Sequence, residues 1–375
     1  MKMKNNNRGI TLVALVITII ILLILAGITI ASLTQTGLFA AAQDAKTKTE
    51  EKTEEENTRL EEYEDAITEQ VTGKKPEKPF KGTTVAQAIE HGKVLNSSNK
   101  TELQDANGNK IVIPAGFKIL SDATTNNATT VDQGIVIEDA TGTDTNGSQF
   151  VWIPVGDIKK ADGTTTAIAL NRYSFDENGV ATEYSGSYVE EDKTNTTTLK
   201  NYGNTISENI NAFKTSVATN GGFYIGRYEA RKNSSGKLTT VKTDSVWNNI
   251  TQPNAATNSK NMYSTGVTSE LMNSYAWDTA TLFLQTFGEN NKYSRQSRTE
   301  TSFLTNGTDT DKQCNVYDMA SNVLEWTTET YSHSDNPCTV RGGGGYNSVD
   351  YTSIRGIVST SGSYSTIGFR PLLYL

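Results

Sequence analysis

Side chains able to do redox, nucleophilic or metal chemistry are scarce in this chain. Its 375 residues include two cysteines, Cys314 and Cys338, and two histidines, His91 and His333. The cysteines form a disulfide bond or stay as two free thiols, and the sequence leaves both readings open. The histidines lie in polar, loop-like sequence, and no nucleophile motif, phosphate-binding glycine-rich loop or histidine-rich metal spacing occurs. These residues do not favour an enzyme.

A different kind of chemistry is indicated by the segment between Gly345 and Gly368, which is rich in Tyr, Ser, Asn and Asp. Tyrosine supplies contact area at a low entropy cost, and Ser and Asn supply adaptable hydrogen bonds. The candidate ligand-binding residues are Tyr346, Asn347, Asp350, Tyr351, Ser353 and Tyr364. The alternative is that this polar segment merely covers the domain.

Short runs rich in β-branched and aromatic residues alternate with long polar loops from about residue 80 onward, which is typical of strands in a loop-rich domain. Two further stretches, 206–218 and 274–287, are predicted to be helical. The predicted strands span 110–114, 134–138, 149–155 and 222–228.

Five short motifs follow one another in the C-terminal part of the chain. They read F-Y-I-G-R-Y-E-A from Phe223, A-W-D-T-A from Ala276, N-V-Y-D-M-A-S-N-V-L-E-W-T from Asn315, C-T-V-R-G-G-G-G-Y from Cys338, and I-G-F-R-P-L from Ile367. This ordered series resembles the formylglycine-generating-enzyme (sulfatase-modifying factor) domain. The resemblance implies a C-type-lectin-like α+β domain, rich in loops, over residues 151–375.

The motifs also carry physical expectations of their own. Trp277 and Trp326 are large apolar groups in polar sequence and are predicted to anchor the core. The four glycines from Gly342 to Gly345 permit a close backbone approach or a positive φ. Arg341 and Arg370 are expected to form structural ion pairs with Glu325 or Asp318.

The resemblance bears on catalysis and on metals. Enzymes of the family use two copper-binding cysteines after the arginine-glycine segment, and the corresponding positions here fall near Asn347 and Thr352. No cysteine follows Cys338, so we expect neither copper binding nor formylglycine generation. The family also implies a calcium site, whose ligands would be the Asp318 and Glu325 side chains with the carbonyls of Ser321 and Val323. The family has Gly where this chain has Ser321. The alternative is that both carboxylates bind the adjacent loop.

The N-terminal segment is strongly apolar. No charged residue occurs between Ile10 and Leu33, a length sufficient for a helix to cross a bilayer core of roughly 30 Å. Basic residues precede it and predict a cytoplasmic N-terminus. The segment resembles type IV pilins and type II secretion pseudopilins, which implies cleavage by a prepilin peptidase between Gly9 and Ile10. The family usually has Glu where this chain has Ala14, and an ordinary signal-anchor helix is the alternative.

These features divide the chain into a long N-terminal transmembrane and stalk helix and a globular head. The net charge is −8 and no basic stripe occurs, which excludes nucleic-acid binding. The predicted parts are a leader (1–9), a transmembrane helix (10–33), a charged helical stalk (34–72), a linker rich in Pro and Lys (73–80), an N-terminal extension of the head (81–150) and the C-type-lectin-like domain (151–375).

The sequence therefore predicts a single-pass cell-membrane protein that displays a catalytically inactive head for an extracellular ligand, as an adhesin or receptor. The composition of the segment between Gly345 and Gly368 resembles the variable proteins of diversity-generating retroelements, which implies genetic diversification. The alternative is a structural minor pilin or pseudopilin, whose partners would be other pilins or secretion-system subunits.

Overall fold

The computed structural model describes residues 16–24, separate residues between 45 and 71, and then 81–121, 126–190, 206–242, 245–296, 311–331, 335–343 and 351–375. The chain forms two compact units, Met1–Lys78 and Pro79–Leu375.

In the first unit, residues 16–24 and the described residues between 45 and 71 are helical. The part of the first unit that the structure describes contains no helix of sufficient length and apolarity to span a membrane. The predictions of a long transmembrane helix and of a single-pass protein in the cell membrane were therefore wrong. Gly9 and Ile10, the predicted processing site, lie outside the described residues.

The second unit contains four α-helices and two short 3₁₀ turns, Val131–Gln133 and Tyr293–Arg295, within its described residues. The helices are α1 (Val85–His91), α2 (Ile206–Asn220), α3 (Gln252–Lys260) and α4 (Ser274–Phe287). The side chain of Asn273 begins α4 by accepting the amide of Ala276 at 2.8 Å, which satisfies one of the orphan donors of the first turn.

The strands are short and numerous. In chain order they are β1 (Thr101–Gln104), β2 (Lys110–Ile113), β3 (Phe117–Leu120), β4 (Val136–Asp139), β5 (Gln149–Pro154), β6 (Gly156–Lys159), β7 (Thr165–Ile168), β8 (Tyr173–Phe175), β9 (Ala181–Glu183), β10 (Tyr188–Val189), β11 (Gly222–Gly226), β12 (Arg231–Lys232), β13 (Leu238–Thr239), β14 (Thr268–Leu271), β15 (Lys312–Gln313), β16 (Val316–Tyr317), β17 (Leu324–Tyr331), β18 (Cys338–Arg341), β19 (Gly356–Val358), β20 (Ile367–Phe369) and β21 (Pro371–Tyr374).

A six-stranded antiparallel sheet forms the centre of the second unit, in the order β14-β21-β11-β5-β4-β3. Its middle strands β5 and β11 are buried, which explains their nearly continuous apolar sequence. Helix α2 packs on β11 and α4 on β5. Strands β3 and β4 belong to this sheet, so residues 81–150 add edge strands to the head.

A second sheet carries most of the C-terminal motifs. Strand β17 pairs antiparallel with both β10 and β18, and β18 pairs antiparallel with β19. Strand β20 runs parallel to β17. Trp277 and Trp326 are fully buried, as predicted. Gly342 has a φ of +93°, and a Cβ there would lie 3.1 Å from the carbonyl oxygen of Met319, so a side chain would be strained.

Most of the predicted elements are present at nearly the predicted bounds. Helix α4 has the predicted limits, and α2 continues two residues beyond Ala218. The predicted strands correspond to β2, β4, β5 and β11.

Candidate functional site

We define the recognition segment as residues 345–368, of which the structure describes 351–368. It leaves β18, adds β19 at the edge of the second sheet and returns to β20. Tyr364 is 49 % exposed. Tyr351 and Ser353 are half-buried, with the Arg295 guanidinium 3.8 Å from the centre of the Tyr351 ring. Tyr346, Asn347 and Asp350 lie outside the described residues, so their placement stays a prediction.

The first described residues of the recognition segment are fixed by hydrogen bonds to their backbone. The indole Nε1 of buried Trp277 donates to the carbonyl of Thr352 at 2.9 Å. The amide of Thr352 donates to the Gln296 carbonyl at 3.0 Å, and the amide of Ser353 donates to the Ser294 carbonyl at 3.1 Å. Because Trp277 lies on α4, these bonds tie the segment to a core helix.

A buried ion cluster lies beneath the same residues. Asp278 of α4 and Glu329 of β17, both fully buried, accept from three guanidinium groups, and the cluster comprises Arg172, Arg341, Arg355, Asp278 and Glu329. Burial alone would lower the pKa of Arg355, but Asp278 and Glu329 raise it. Three cations face two carboxylates, so every member has an opposite charge within reach, as buried charges require.

Two members of the ion cluster act directly on the recognition segment. The Arg341 Nε donates to the carbonyl of Ile354 at 2.6 Å. Arg355 belongs to the segment itself, and its Nε donates to Glu329 Oε1 at 2.9 Å. Arg341 was expected to pair with Glu325 or Asp318, and it instead forms ion pairs with Asp278 and Glu329. The reason is topological, because β18 places Arg341 against α4.

Tyrosines outside the predicted site contact this same region. The Tyr188 hydroxyl donates to the carbonyl of Arg355 at 2.9 Å, and its ring lies 4.8 Å from that of Tyr331. The guanidiniums of Arg172 and Arg355 lie 4.6 and 3.9 Å from the centre of the Tyr184 ring, in cation–π geometry. Sequence reasoning missed these residues because they precede the motifs. The sequence feature that could have indicated them is the group of tyrosines that follows Arg172.

The end of the recognition segment is also held through its backbone. The carbonyl of Tyr364 accepts the amide of Asn249 at 3.0 Å, and the Asn248 side chain donates to the Ser365 carbonyl at 2.8 Å. The Leu324 amide donates to the carbonyl of Thr366 at 3.0 Å. The described part of the recognition segment is thus held to the core near both of its ends.

The second unit matches a known domain family. The model of the sulfatase-modifying factor enzyme 1-like domain matches residues 88–373 of the 375. The chain belongs to this family. Membership confirms the expected C-type-lectin-like head and extends the match upstream into residues 81–150. It does not reach residues 9–33, so the pilin resemblance receives no support from it. A search of curated proteins found no match.

Several solved structures are similar to this sulfatase-modifying-factor-like chain at low identity. The crystal structure of CarF is 13% identical, with 41% of this chain and 87% of that chain covered and a TM-score of 0.30. The Major Tropism Determinant M1 variant is 11% identical, with 74% and 81% covered and a TM-score of 0.31. The Treponema denticola variable protein 1 is 15% identical, with 60% and 96% covered and a TM-score of 0.26. These likenesses are too remote to support an argument about function.

The segment in which the calcium site was predicted runs from Asp318 to Glu325. Positive φ values fall on Asp318 and Asn322, both at 64°, so Ser321 needs no glycine-like backbone. Glu325 receives two hydrogen bonds from Arg370, at 2.8 and 3.2 Å. The Ser321 hydroxyl donates to Asp311 Oδ2 at 2.8 Å.

These contacts fit a guanidinium better than Ca²⁺, because Arg370 already neutralises Glu325. Among the described residues, no group of three or more His, Cys, Asp or Glu side chains is arranged to hold a metal ion. Calcium binding by Asp318, Ser321, Val323 and Glu325 stays a prediction without support from the geometry. The expected Arg370–Glu325 ion pair is present.

Cys314 and Cys338 are both free thiols, so the disulfide reading of this pair does not hold. They belong to different parts of the head. Cys338 is the first residue of β18. The Cys314 backbone packs closely against Gly134, because a Cβ at Gly134 would lie 1.9 Å from the Cys314 carbonyl oxygen. Burial raises the pKa of both thiols to about 12. Thr352 lies near one position that binds copper in enzymes of the family. Its hydroxyl donates a hydrogen bond to the Gln296 carbonyl at 3.3 Å. A hydroxyl does not suit Cu(I), which prefers thiolates.

Glu190 is a buried carboxyl next to the ion cluster. It accepts the amide of Ser274 at 2.5 Å and the hydroxyl of Thr328 at 2.7 Å. Burial, followed by repulsion from Glu329, raises the pKa of Glu190 from 4.5 to about 7. A raised pKa means that the folded state binds the proton more tightly than the unfolded state.

We expect Glu190→Gln to make the stability less dependent on pH. The stabilisation from protonated Glu190 is complete below pH about 4.5 and is lost as the pH rises through about 7. The difference in free energy of unfolding between the variant and wild type should therefore be about 3 kcal/mol more favourable to the variant at pH 8 than at pH 4. Urea unfolding at the two pH values measures this, with exposed Glu183→Gln as the control. Equal pH profiles for wild type and Glu190→Gln would contradict the prediction.

Proposed function

We propose that this protein is a non-catalytic binding protein whose recognition segment contacts an extracellular ligand, in an adhesin or receptor role. The observation that carries the proposal is that residues 351–368 are held by the core near both ends while some of their side chains reach solvent. Ile357, Ser361 and Tyr364 are among the exposed residues. The backbone is fixed through Thr352, Ser353 and Ser365. A fixed backbone lowers the entropy cost of binding.

Nearly all of these anchoring bonds use main-chain atoms of the recognition segment. The partners accept from or donate to the backbone of Thr352, Ser353, Ile354, Arg355, Tyr364, Ser365 and Thr366. Two residues also use their side chains, because Arg355 joins the ion cluster and the Thr352 hydroxyl donates to the Gln296 carbonyl. The side chains at the other positions can therefore change without loss of these hydrogen bonds. This property supports a genetically diversified binding surface.

The absence of catalysis is part of the proposal. No cysteine follows Cys338 in the sequence, so the copper-binding pair of the family has no counterpart after Arg341. The two thiols that exist are separate and have a raised pKa. A thiol with a raised pKa is a poor nucleophile near neutral pH.

The test is binding by the full chain. A glycan array and a displayed library of extracellular protein domains serve as probes, and surface plasmon resonance then measures each hit. We expect Tyr364→Ala and Tyr351→Ala to raise the Kd about tenfold or more, because tyrosines often dominate binding energy. Tyr63→Ala, an exposed tyrosine of the first unit, is the matched control.

Two results would count against the proposal. One is a saturable hit whose Kd changes no more for Tyr364→Ala and Tyr351→Ala than for Tyr63→Ala. The other is oxidation of a cysteine-containing sulfatase peptide by the chain in the presence of copper, followed by mass spectrometry.

A further inference from the structure

A polar cavity of about 490 Å³ lies among four connections of the second unit. They are the loop after α1, the β2–β3 turn, the β4–β5 loop and the α3–β14 loop. None of the residues that line it belongs to the recognition segment or to the ion cluster. Its volume falls within the range of about 300–1000 Å³ that small-molecule sites occupy.

The exposed rim of the cavity consists of hydroxyl groups. They belong to Ser97, Ser98, Thr141, Thr143, Ser264 and Thr265. Hydroxyls both donate and accept hydrogen bonds, so they match a ligand with the same mixed capacity. Of the described residues that line the cavity, Asp139 alone is charged.

Asp139 is buried, and its carboxylate accepts four hydrogen bonds from residues around the cavity. Its Oδ1 accepts the amides of Thr141 and Gly142 at 3.0 and 2.8 Å. Its Oδ2 accepts the Tyr263 hydroxyl at 3.0 Å and the Thr145 hydroxyl at 2.5 Å. The carboxylate therefore orients two loops and has no coordination left for a cation.

Other contacts show that the cavity is formed in advance. A Cβ at Gly142 would lie 2.0 Å from the Thr145 hydroxyl oxygen, so the loop closes only around glycine. Phe117 and Tyr263 lie with their ring centres 5.7 Å apart and supply an apolar surface beneath the rim. A preformed site with aromatic walls and a few convergent polar groups is typical of small-ligand binding.

We propose that this cavity binds a small, uncharged, polyhydroxylated ligand of the size of one or two pyranose rings. The hydroxyl rim pairs with the ligand hydroxyls, and the aromatic side chains pack against its C–H groups. A phosphate or carboxylate would meet the Asp139 carboxylate and no cation. An ammonium group would find that carboxylate already saturated by four hydrogen bonds.

The test uses saturation-transfer NMR on the full chain with four probes: the methyl pyranosides of glucose, galactose, mannose and N-acetylglucosamine. We expect at least one to bind saturably. Ala115→Leu, which places bulk in the cavity, should weaken that binding by about tenfold or more. Thr143→Val, which removes one rim hydroxyl at constant shape, should weaken it to a lesser extent.

Two controls separate the loss of this site from a general loss of structure. Thr165→Val makes the same chemical change on exposed β7 and should leave binding intact. Thermal unfolding establishes that each variant is folded. The proposal is overturned if no neutral pyranoside binds saturably, if folded Ala115→Leu binds like wild type, or if glucose 6-phosphate or glucosamine binds more tightly than the neutral probes.

Discussion

Replacing Glu329 by Gln should lower the free energy of unfolding by about 3–5 kcal/mol, the usual result of breaking one partner of a buried ion pair. Glu329 is fully buried and accepts from Arg172, Arg341 and Arg355. Without its charge, three guanidiniums would share Asp278, and the desolvated positive charge would be poorly compensated. Urea denaturation followed by circular dichroism measures the change.

The same variant should loosen the recognition segment. Arg341 and Arg355 connect Glu329 to the backbone at Ile354 and to β19, so hydrogen exchange at residues 351–358 should accelerate more than in the six-stranded sheet. Glu102→Gln is the control, because it removes an exposed carboxylate paired with Lys110 and should cost less than about 1 kcal/mol. A cost for Glu329→Gln no larger than that of the control would show that the ion cluster does not hold the segment.

The sequence predicted the elements that carry strong local patterns. Helix α4 has an N-capping Asn273 and a long apolar stripe, and its predicted and observed limits agree. Trp277 and Trp326 were recognisable as core anchors because large apolar groups in polar sequence are rarely left exposed. An ion pair of Arg370 with Glu325 or Asp318 was also expected, and Glu325 is the partner observed at 2.8 Å.

The ion cluster could not be predicted, because its members lie on several elements that meet only in the folded chain. Glu329 and Arg341 lie on the paired strands β17 and β18, whereas the packing of α4 against β17 brings Asp278 to Arg341. Tyr184 and Tyr188 were missed for the same reason. Local sequence does not encode such long-range partners.

The N-terminal prediction failed for a different reason. An uncharged, apolar stretch meets the composition of a membrane span, but composition alone does not establish a span. Within the described residues of the first unit, no helix combines the length and the apolarity that a span requires.

Arg370 should be equally critical for stability. Its Nη1 donates to the carbonyl of Gly226 and its Nη2 to that of Tyr317, both at 2.7 Å, while Glu325 receives two further bonds. It thus joins the six-stranded sheet to β17. Arg370→Met should cost about 3–5 kcal/mol in free energy of unfolding, because it leaves Glu325 buried without its cation.

The pH dependence of that loss provides a sharper test. Burial raises the pKa of Glu325 and Glu229, and Arg370 opposes both shifts. Without Arg370 both values should rise further, so the variant should be closest to wild type at low pH and lose stability as the pH increases through the raised pKa values. The double variant Arg370→Met/Glu325→Leu should recover much of the loss, since an apolar pair can replace a buried ion pair. A loss that is the same at pH 5 and pH 8, and that the second substitution does not reduce, would assign the role of Arg370 to its contacts with the Gly226 and Tyr317 carbonyls instead of its charge.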